Sequence, residues 1–265
     1  MRKKRPLRGK GLQLRTALAL ILSLALPIFF IIAQGRGALS VQLADITFIL
    51  FTGVCALLAF MLVKKCGIDG KLGIMHVGMF LGMLLIFLGA VTNGVYGIIL
   101  HSARLFPAVA DALNFLGYAS AALGGFQFLW YFRAAFTKWR FRMVPVVGLL
   151  VAGRNLILLH LGVGTQPPLI FDANWFAYPI LDGMLVILAM MMVLLFKGGI
   201  VSSSWRWLAI GMLLITTADV TTGVANSHGW GEGVRPFYLF YLWGYICLGL
   251  CFSLMPRLEK LQPLD

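Results

Sequence analysis

Charged side chains are scarce in this sequence. Asp, Glu, Lys and Arg make up only 12% of its 265 residues, whereas 60% of the residues are hydrophobic. Soluble domains carry about a quarter charged residues, so this composition excludes an ordinary soluble fold. The mean hydropathy of +0.92 indicates a membrane protein that crosses the bilayer several times.

Motifs that mark conventional enzymes are also missing. The sequence contains no Walker loop, no dinucleotide-binding glycine fingerprint, no HExxH and no GxSxG. Its four cysteines, Cys55, Cys66, Cys247 and Cys251, lie on apolar runs or on the predicted cytoplasmic side, which excludes an extracellular disulfide framework. Cys247 and Cys251 share a helix face, where small packing residues are expected rather than metal ligands. We therefore expect a protein that is not an enzyme, and the residues indicate no particular cofactor.

Long apolar runs recur along the whole chain. Each has about 20 residues, enough to cross the hydrocarbon core. Unpaired backbone groups are not tolerated in lipid, so the runs predict helices. The expected fold class is all-α: residues 1–265 form one polytopic bundle of eight transmembrane helices. The predicted spans are 16–34, 43–63, 74–99, 112–132, 143–162, 176–196, 207–226 and 237–255.

The first run has one alternative interpretation, because it follows the basic segment Met1 to Lys10 as the core of a signal peptide does. However, the run is longer than a usual signal core. Residues Phe29 to Ile32 stand where small cleavage-site residues would be expected. We therefore predict a span here.

Basic residues are distributed unevenly over the predicted loops. With the N-terminus inside, 18 of the 22 Lys and Arg lie on cytoplasmic segments, against Arg36, Arg104 and Arg235 on outer ones. By the positive-inside rule both termini are cytoplasmic. The formal charge of +13 therefore indicates topology and contact with anionic lipid, not a nucleic-acid partner.

Tryptophans and glycines agree with this arrangement. Trp130, Trp139, Trp205 and Trp207 fall near the predicted inner boundary, where indole rings are favoured. Trp175 and Trp230 fall near the outer boundary. Gly78 and Gly82 have the spacing of a close helix contact, which predicts packing at that face of the third span.

Three ionisable residues lie inside predicted spans: Arg154, Asp182 and Asp219. Helical rise places them about 9–12 Å below the outer ends of three consecutive spans, in one layer. Charges at such depth are costly and usually paired or functional. An arginine between two carboxylates can bind one and leave the other for a ligand or proton. We predict a ligand-binding or switch site at Arg154, Asp182 and Asp219, with Asn93 and Tyr178 as secondary members.

Two interpretations of this layer remain open. It is either an outward-facing pocket or a buried Arg–Asp clamp that only fixes the helices, completed by polar neighbours. These neighbours are Tyr96, Asn114, Tyr118, Thr216, Thr217, Thr221 and Thr222. Asp182 has a further structural explanation, because it follows Pro179 near the predicted start of a helix, where the helix dipole favours an anion.

Histidines give only a weak metal signal. His76 lies near the predicted inner boundary and His101, His160 and His228 near the outer one, and no pair has the spacing of a strong site. A three-dimensional site that joins the outer histidines to acidic residues is the less favoured alternative. No metal site is predicted.

The last third of the chain carries a recognisable pattern. Tyr178-Pro179-Ile180-Leu181-Asp182 opens one span, Ala218-Asp219 lies late in the next, and Leu242-Trp243-Gly244-Tyr245 follows in the last. This pattern resembles the multi-span N-terminal sensor regions of bacterial signalling proteins, which continue into GGDEF, EAL or histidine-kinase modules. The resemblance covers residues 175–255 and implies an input module in the inner (plasma) membrane of a bacterium that passes a helix shift to a cytoplasmic output.

No such output module follows within this sequence. A fragment, a stand-alone relative that acts through a partner, or a subunit with another use would each explain the departure. The leading prediction is a non-enzymatic sensor or interaction module that takes a small ligand and signals through the last span into residues 257–260. The alternatives are a small-solute or proton-coupled transporter and an accessory subunit that scaffolds a larger membrane complex and binds lipid or pigment. Almost no polar residue lies in the inner halves of the spans, which argues against the transporter.

Overall fold

A computed structural model describes residues 38–68, 70–98, 107–133, 139–162, 173–196, 199–227 and 238–255. These ranges form seven α-helices. In chain order they are α1 (Ala38–Cys66), α2 (Gly70–Ile98), α3 (Pro107–Tyr131), α4 (Trp139–Gly162), α5 (Ala173–Leu195), α6 (Gly199–Ser227) and α7 (Tyr238–Leu254). The predicted span 16–34 lies outside the described residues, as do residues 257–260.

The predicted helical class is confirmed, since every element in the described ranges is a helix. Three segments, Asp45–Cys66, Gly73–Tyr96 and Ala177–Leu195, are long and apolar enough to cross a membrane by length and composition. The shorter α7 is also apolar. Membrane association follows from these segments, whereas the count of eight spans and the orientation of the termini stay predictions.

Most helices extend beyond the apolar runs that predicted them. The largest difference is at α6, which begins at Gly199 although the apolar run begins at 207. Its first turns contain Ser202 and Ser204, which are buried by neighbouring helices. A hydropathy pattern detects the lipid-compatible part of a helix, while backbone hydrogen bonds continue through polar residues at its ends.

Six of the helices close into a ring, and the seventh lies outside it. Neighbouring pairs around the ring are α1–α2, α2–α3, α3–α5, α5–α6, α6–α7 and α7–α1. Helix α4 packs on the outer side against α5 and α6. Large apolar side chains on α4 are correspondingly exposed, among them Leu149, Leu150 and Ile157. The first and last described helices thus meet at a seam.

Helices α1 and α7 run parallel along this seam. The Cys55 thiol donates to the carbonyl of Tyr245 at 3.1 Å, and the Lys65 ammonium donates to the carbonyl of Met255 at 3.0 Å. Ten residues separate the two contacts on each helix, so the register is constant between them. Cys55 is buried, and none of the four cysteines, all of which lie in the described ranges, forms a disulfide.

The interior of the ring is apolar and aromatic at the end where α6 begins. Phe128, Met75 and Trp205 have no exposed surface. The Trp205 ring stacks on Phe196 with centroids 5.6 Å apart and an interplanar angle of 15°. Trp205 therefore faces the core and not the headgroups. Among the tryptophans whose side chains the structure describes, only Trp130 keeps a large exposed surface, with the Arg133 guanidinium over its ring at 4.9 Å. Neighbouring helices cover Trp205, which the sequence alone does not show.

Glycines allow α2 and α3 to approach closely, as predicted for Gly78 and Gly82. A Cβ on Gly78 would lie 2.8 Å from Cα of Gly124, and one on Gly82 would lie 2.8 Å from the carbonyl oxygen of Gly117. Both distances are shorter than real Cβ contacts allow. The predicted contact face is confirmed, and the partner residues on α3 are themselves glycines.

Candidate functional site

Asp219 on α6 receives hydrogen bonds from two other helices. The hydroxyl of Tyr241 on α7 lies 2.6 Å from Oδ1, and the hydroxyl of Tyr118 on α3 lies 3.2 Å from Oδ2. Both are within the range for O–H···O bonds, and the Tyr241 bond has the short length of a charge-assisted one. One carboxyl group therefore connects three helices of the ring.

Asp182 on α5 is the second acidic residue of this site. Its carboxyl group lies against that of Asp219, close enough for a hydrogen bond between them when one of the two is protonated. Asp182 is only 2% exposed, and its Oδ2 has no hydrogen-bond partner among the described residues. We call Asp182 and Asp219 the carboxyl pair. The sequence prediction that these two residues share one layer agrees with this contact.

The helix-dipole explanation for Asp182 is wrong. Helix α5 begins at Ala173, so Pro179 lies inside it and Asp182 stands nine residues from the start. That is more than two turns, and the dipole effect is confined to the first turn. Pro179 instead removes one backbone hydrogen bond from the helix one turn before the acid. Tertiary contacts, not a helix end, explain why Asp182 lies here.

Aromatic rings surround the carboxyl pair. Tyr178 on α5 packs edge-on against Tyr118 with centroids 5.9 Å apart, and its hydroxyl lies 3.5 Å from Oδ1 of Asp111. On the opposite side Phe48 of α1 packs edge-on against Tyr241 and Tyr245, at 5.8 and 5.4 Å. Such pairs are favourable beyond their buried area. The rings exclude lipid while their hydroxyls supply polar contacts.

Arg154 is outside this arrangement. It lies on α4, the helix outside the ring, and its side chain is exposed. Its Nε and Nη2 donate to Oδ1 of the adjacent Asn155 at 3.3 and 3.2 Å. Within the described ranges no ion pair joins Arg154 to either aspartate. The predicted clamp between Arg154 and a carboxylate is not formed, because equal depth along the bundle does not fix lateral position.

Of the two secondary predicted residues, one lies beside the carboxyl pair and the other makes no bond to it. Tyr178 belongs to the aromatic surroundings of the pair through its ring contact with Tyr118. Asn93 on α2 is half-buried, and no hydrogen bond between it and the carboxyl pair is found in the described part of the chain. Among the threonines, Thr217 and Thr221 bond to carbonyls of their own helix, whereas the buried hydroxyl of Thr222 has no partner in the described ranges.

Tyr241 was not predicted, although it makes the shortest bond at the site. A signal for it exists in the spacing of Tyr238, Tyr241 and Tyr245, which lie on one face of α7. Hydropathy treats such residues as ordinary members of an apolar run. We name the set of Tyr118, Tyr178, Asp182, Asp219 and Tyr241 the tyrosine–aspartate cluster.

Metal-binding groups are not concentrated at this site. No set of three or more His, Cys, Asp or Glu side chains suited to a metal ion occurs among the described residues. The side chains of His101, His160 and His228 lie outside the described set. His76 is buried, and neither of its ring nitrogens has a hydrogen-bond partner in the described ranges.

The sequence matches no protein-family model, no curated protein and no solved structure. The chemistry of the tyrosine–aspartate cluster is therefore the basis for assigning a function.

Proposed function

We propose that this chain is a non-enzymatic sensor or input module of a bacterial inner membrane and that the tyrosine–aspartate cluster is its switch site. The observation that carries the proposal is the carboxyl pair, which joins α5 and α6 directly and reaches α3 and α7 through Tyr118 and Tyr241. Any change in what occupies the pair acts on four helices at once. The resemblance of residues 175–255 to sensor regions is in line with this role.

The stimulus that fits this chemistry is a proton. Two carboxyl groups in contact repel one another when both are ionised, so they require a proton or a cation between them. Ionisable residues within spans are characteristic of proton relays and switches. Arg154 does not supply a counter-charge here, which leaves the occupancy of the pair dependent on solution conditions. Loss of the proton would separate α5 from α6.

The direct test is the distance between helices as a function of pH. Spin labels would be attached at positions 133 and 254, near the ends of α3 and α7. The distance between them would be measured by pulsed electron paramagnetic resonance in lipid nanodiscs at pH 5 and pH 8. We expect the unmodified cluster to show a pH-dependent shift and Asp182→Asn and Asp219→Asn to show none. Thr217→Val is the matched control, because Thr217 bonds only within α6. A pH-independent distance in the parent protein, or a shift that survives both variants, would contradict the proposal.

A second candidate, a scaffold subunit, is favoured by Arg154 on α4. An exposed guanidinium within a span is costly in lipid, and an acidic partner would remove that cost. Leu149, Leu150 and Ile157 on the same helix are exposed and available for contact. If the scaffold is correct, Arg154→Ala lowers the size of the complex isolated from native membranes while the pH response of the cluster is unchanged. If the sensor alone is correct, the size of the complex does not change.

A further inference from the structure

An open groove follows the seam between α1 and α7. It has a volume of about 550 Å³, and its walls are almost entirely apolar. The described residues that form it include Phe51, Val54 and Leu58 on α1 and Tyr245, Gly249 and Leu250 on α7. Gly249 keeps the floor open, since the nearest atoms to a Cβ there would be Leu58 Cδ1 at 3.4 Å and Cys55 Sγ at 3.8 Å.

One end of the groove is cationic. Lys65 lines it and uses one ammonium hydrogen for the carbonyl of Met255. An ammonium group has three donors, so two remain for an anionic group. Lys64 is next to it, with its ammonium 4.9 Å from the centre of the Phe60 ring. The groove is therefore amphipathic along its length: positive at the end of α1 and apolar over the rest.

The dimensions match one leaflet of a bilayer. Cys55, which bonds to Tyr245, lies ten residues before Lys65, a rise of about 15 Å along the helix. Half of the hydrocarbon core is about 15 Å thick. A lipid chain that begins at Lys65 can lie within the groove over its full depth and end near Tyr245.

We propose that the α1–α7 groove binds one anionic phospholipid, with its phosphate at Lys65 and an acyl chain along the apolar walls. The charge pattern selects this occupant, because a positive end and an apolar length are complementary to an anionic headgroup and its chain. Anionic lipids concentrate in the leaflet that faces the cytoplasm, where lysines attract them. Tyr245 borders the groove and contacts Phe48, which also contacts Tyr241. Two ring contacts thus connect Tyr245 at the groove to Tyr241, which donates a hydrogen bond to Asp219.

Native mass spectrometry on protein released from nanodiscs tests the headgroup. The nanodiscs would contain equal amounts of palmitoyl-oleoyl phosphatidylglycerol and of phosphatidylcholine with the same chains. We expect a preference for phosphatidylglycerol that Lys65→Gln reduces about fivefold, the effect of one lysine at an anionic surface. Arg206→Gln is the matched control: Arg206 is exposed on α6 and bonds to the Ser202 carbonyl of its own helix. No preference in the parent protein, or a preference that Lys65→Gln leaves intact, overturns the proposal.

Two variants of Gly249 test the acyl chain. Gly249→Phe fills the groove, and we expect it to lower the retention of both lipids; Gly249→Ala adds only an ordinary contact and should retain them. Spin-label distances equal to those of the parent protein are the check that both variants keep the bundle. Equal retention by the two variants places the lipid elsewhere and overturns the proposal. The same conclusion follows if a second copy of the chain or residues 16–34 cover the groove, as shown by cross-links from Gly249→Cys in the lipid-loaded protein.

Discussion

The hydroxyl of Tyr241 donates a 2.6 Å hydrogen bond to Oδ1 of Asp219. Tyr118 makes the longer bond to the other oxygen, at 3.2 Å. Removing the shorter bond leaves a carboxyl oxygen unsatisfied at the helix interface, which is the costly half of losing a hydrogen bond. The two tyrosines therefore allow a graded comparison within one site.

Tyr241→Phe is expected to lower the free energy of unfolding by about 1–3 kcal/mol. Tyr118→Phe is expected to lower it by less, because its bond is longer. Both changes remove a single oxygen and preserve the ring, so packing is held constant. Reversible unfolding in mixed detergent micelles, followed by circular dichroism, measures both. An equal or larger loss for Tyr118→Phe is incompatible with the ranking of the two bonds.

The two aspartates should be energetically coupled, whereas Arg154 should be independent of them. Residues in contact show coupling energies of about 0.5–3 kcal/mol, and separate sites add within about 0.5 kcal/mol. We expect a double-mutant cycle of Asp182→Asn with Asp219→Asn to give a coupling energy of about 0.5–3 kcal/mol. For the cycle of Arg154→Gln with Asp219→Asn we expect additive changes in the free energy of unfolding, within about 0.5 kcal/mol. Strong coupling in the arginine cycle would restore the clamp that the sequence predicted.

Substitutions at glycines should depend on the space beside them. Gly78→Ala places a methyl group 2.8 Å from Cα of Gly124, so α2 and α3 must separate. Overpacking of this kind costs about 1–3 kcal/mol. Gly153→Ala on α4 is the matched control, since nothing lies within 4 Å of its Cβ position. Thermal unfolding of both variants checks the contrast, and similar midpoints would show that the α2–α3 contact is looser.

Trp205 and Trp130 form a second matched pair. Trp205 is fully buried against Phe196 and Phe128, and Trp130 is 59% exposed. Trp205→Ala should cost about 3–5 kcal/mol, as large-to-small changes in a core do. Trp130→Ala should cost much less, because more than half of the Trp130 side chain is already exposed in the folded protein. Comparable losses would place Trp205 at the surface, as the sequence had predicted.

Thiol reactivity should follow burial. Cys55 and Cys251 are at most 2% exposed, whereas Cys66 at the end of α1 is partly exposed. We expect a maleimide to modify Cys66 first and to reach Cys55 and Cys251 only on unfolding, with mass spectrometry as the measurement. A membrane-impermeant reagent added to inside-out and right-side-out vesicles then tests the predicted cytoplasmic position of Cys66. Fast modification of Cys55 would show that the reagent reaches through the α1–α7 groove to a thiol that the structure buries.

The depth of a residue along its helix was predictable from the sequence, whereas the position of that helix within the bundle was not. Helical rise placed Asp182, Asp219 and Arg154 in one layer, yet only the two acids meet, because α4 lies outside the ring. Hydropathy gave the approximate positions of the seven helices, but nothing in it shows that α3 pairs with α5 and bypasses α4. Hydropathy does not distinguish Tyr241 from its neighbours, because its ring belongs to an apolar run and only its hydroxyl is polar. The sequence predicts which residues are unusual, whereas the order of helices decides which of them touch.

The seam between α1 and α7 also sets an order of events during synthesis. Cys55 and Tyr245 are 190 residues apart, as are Lys65 and Met255, and these two contacts close the largest loops among the described hydrogen bonds. Until the ribosome has delivered α7, the face of α1 at the seam lacks the helix that packs against it in the closed ring. The helices of the ring are therefore inserted one after another, and α7 closes the ring when it packs against α1. A chain truncated before residue 238 would form a bundle in which the ring stays open.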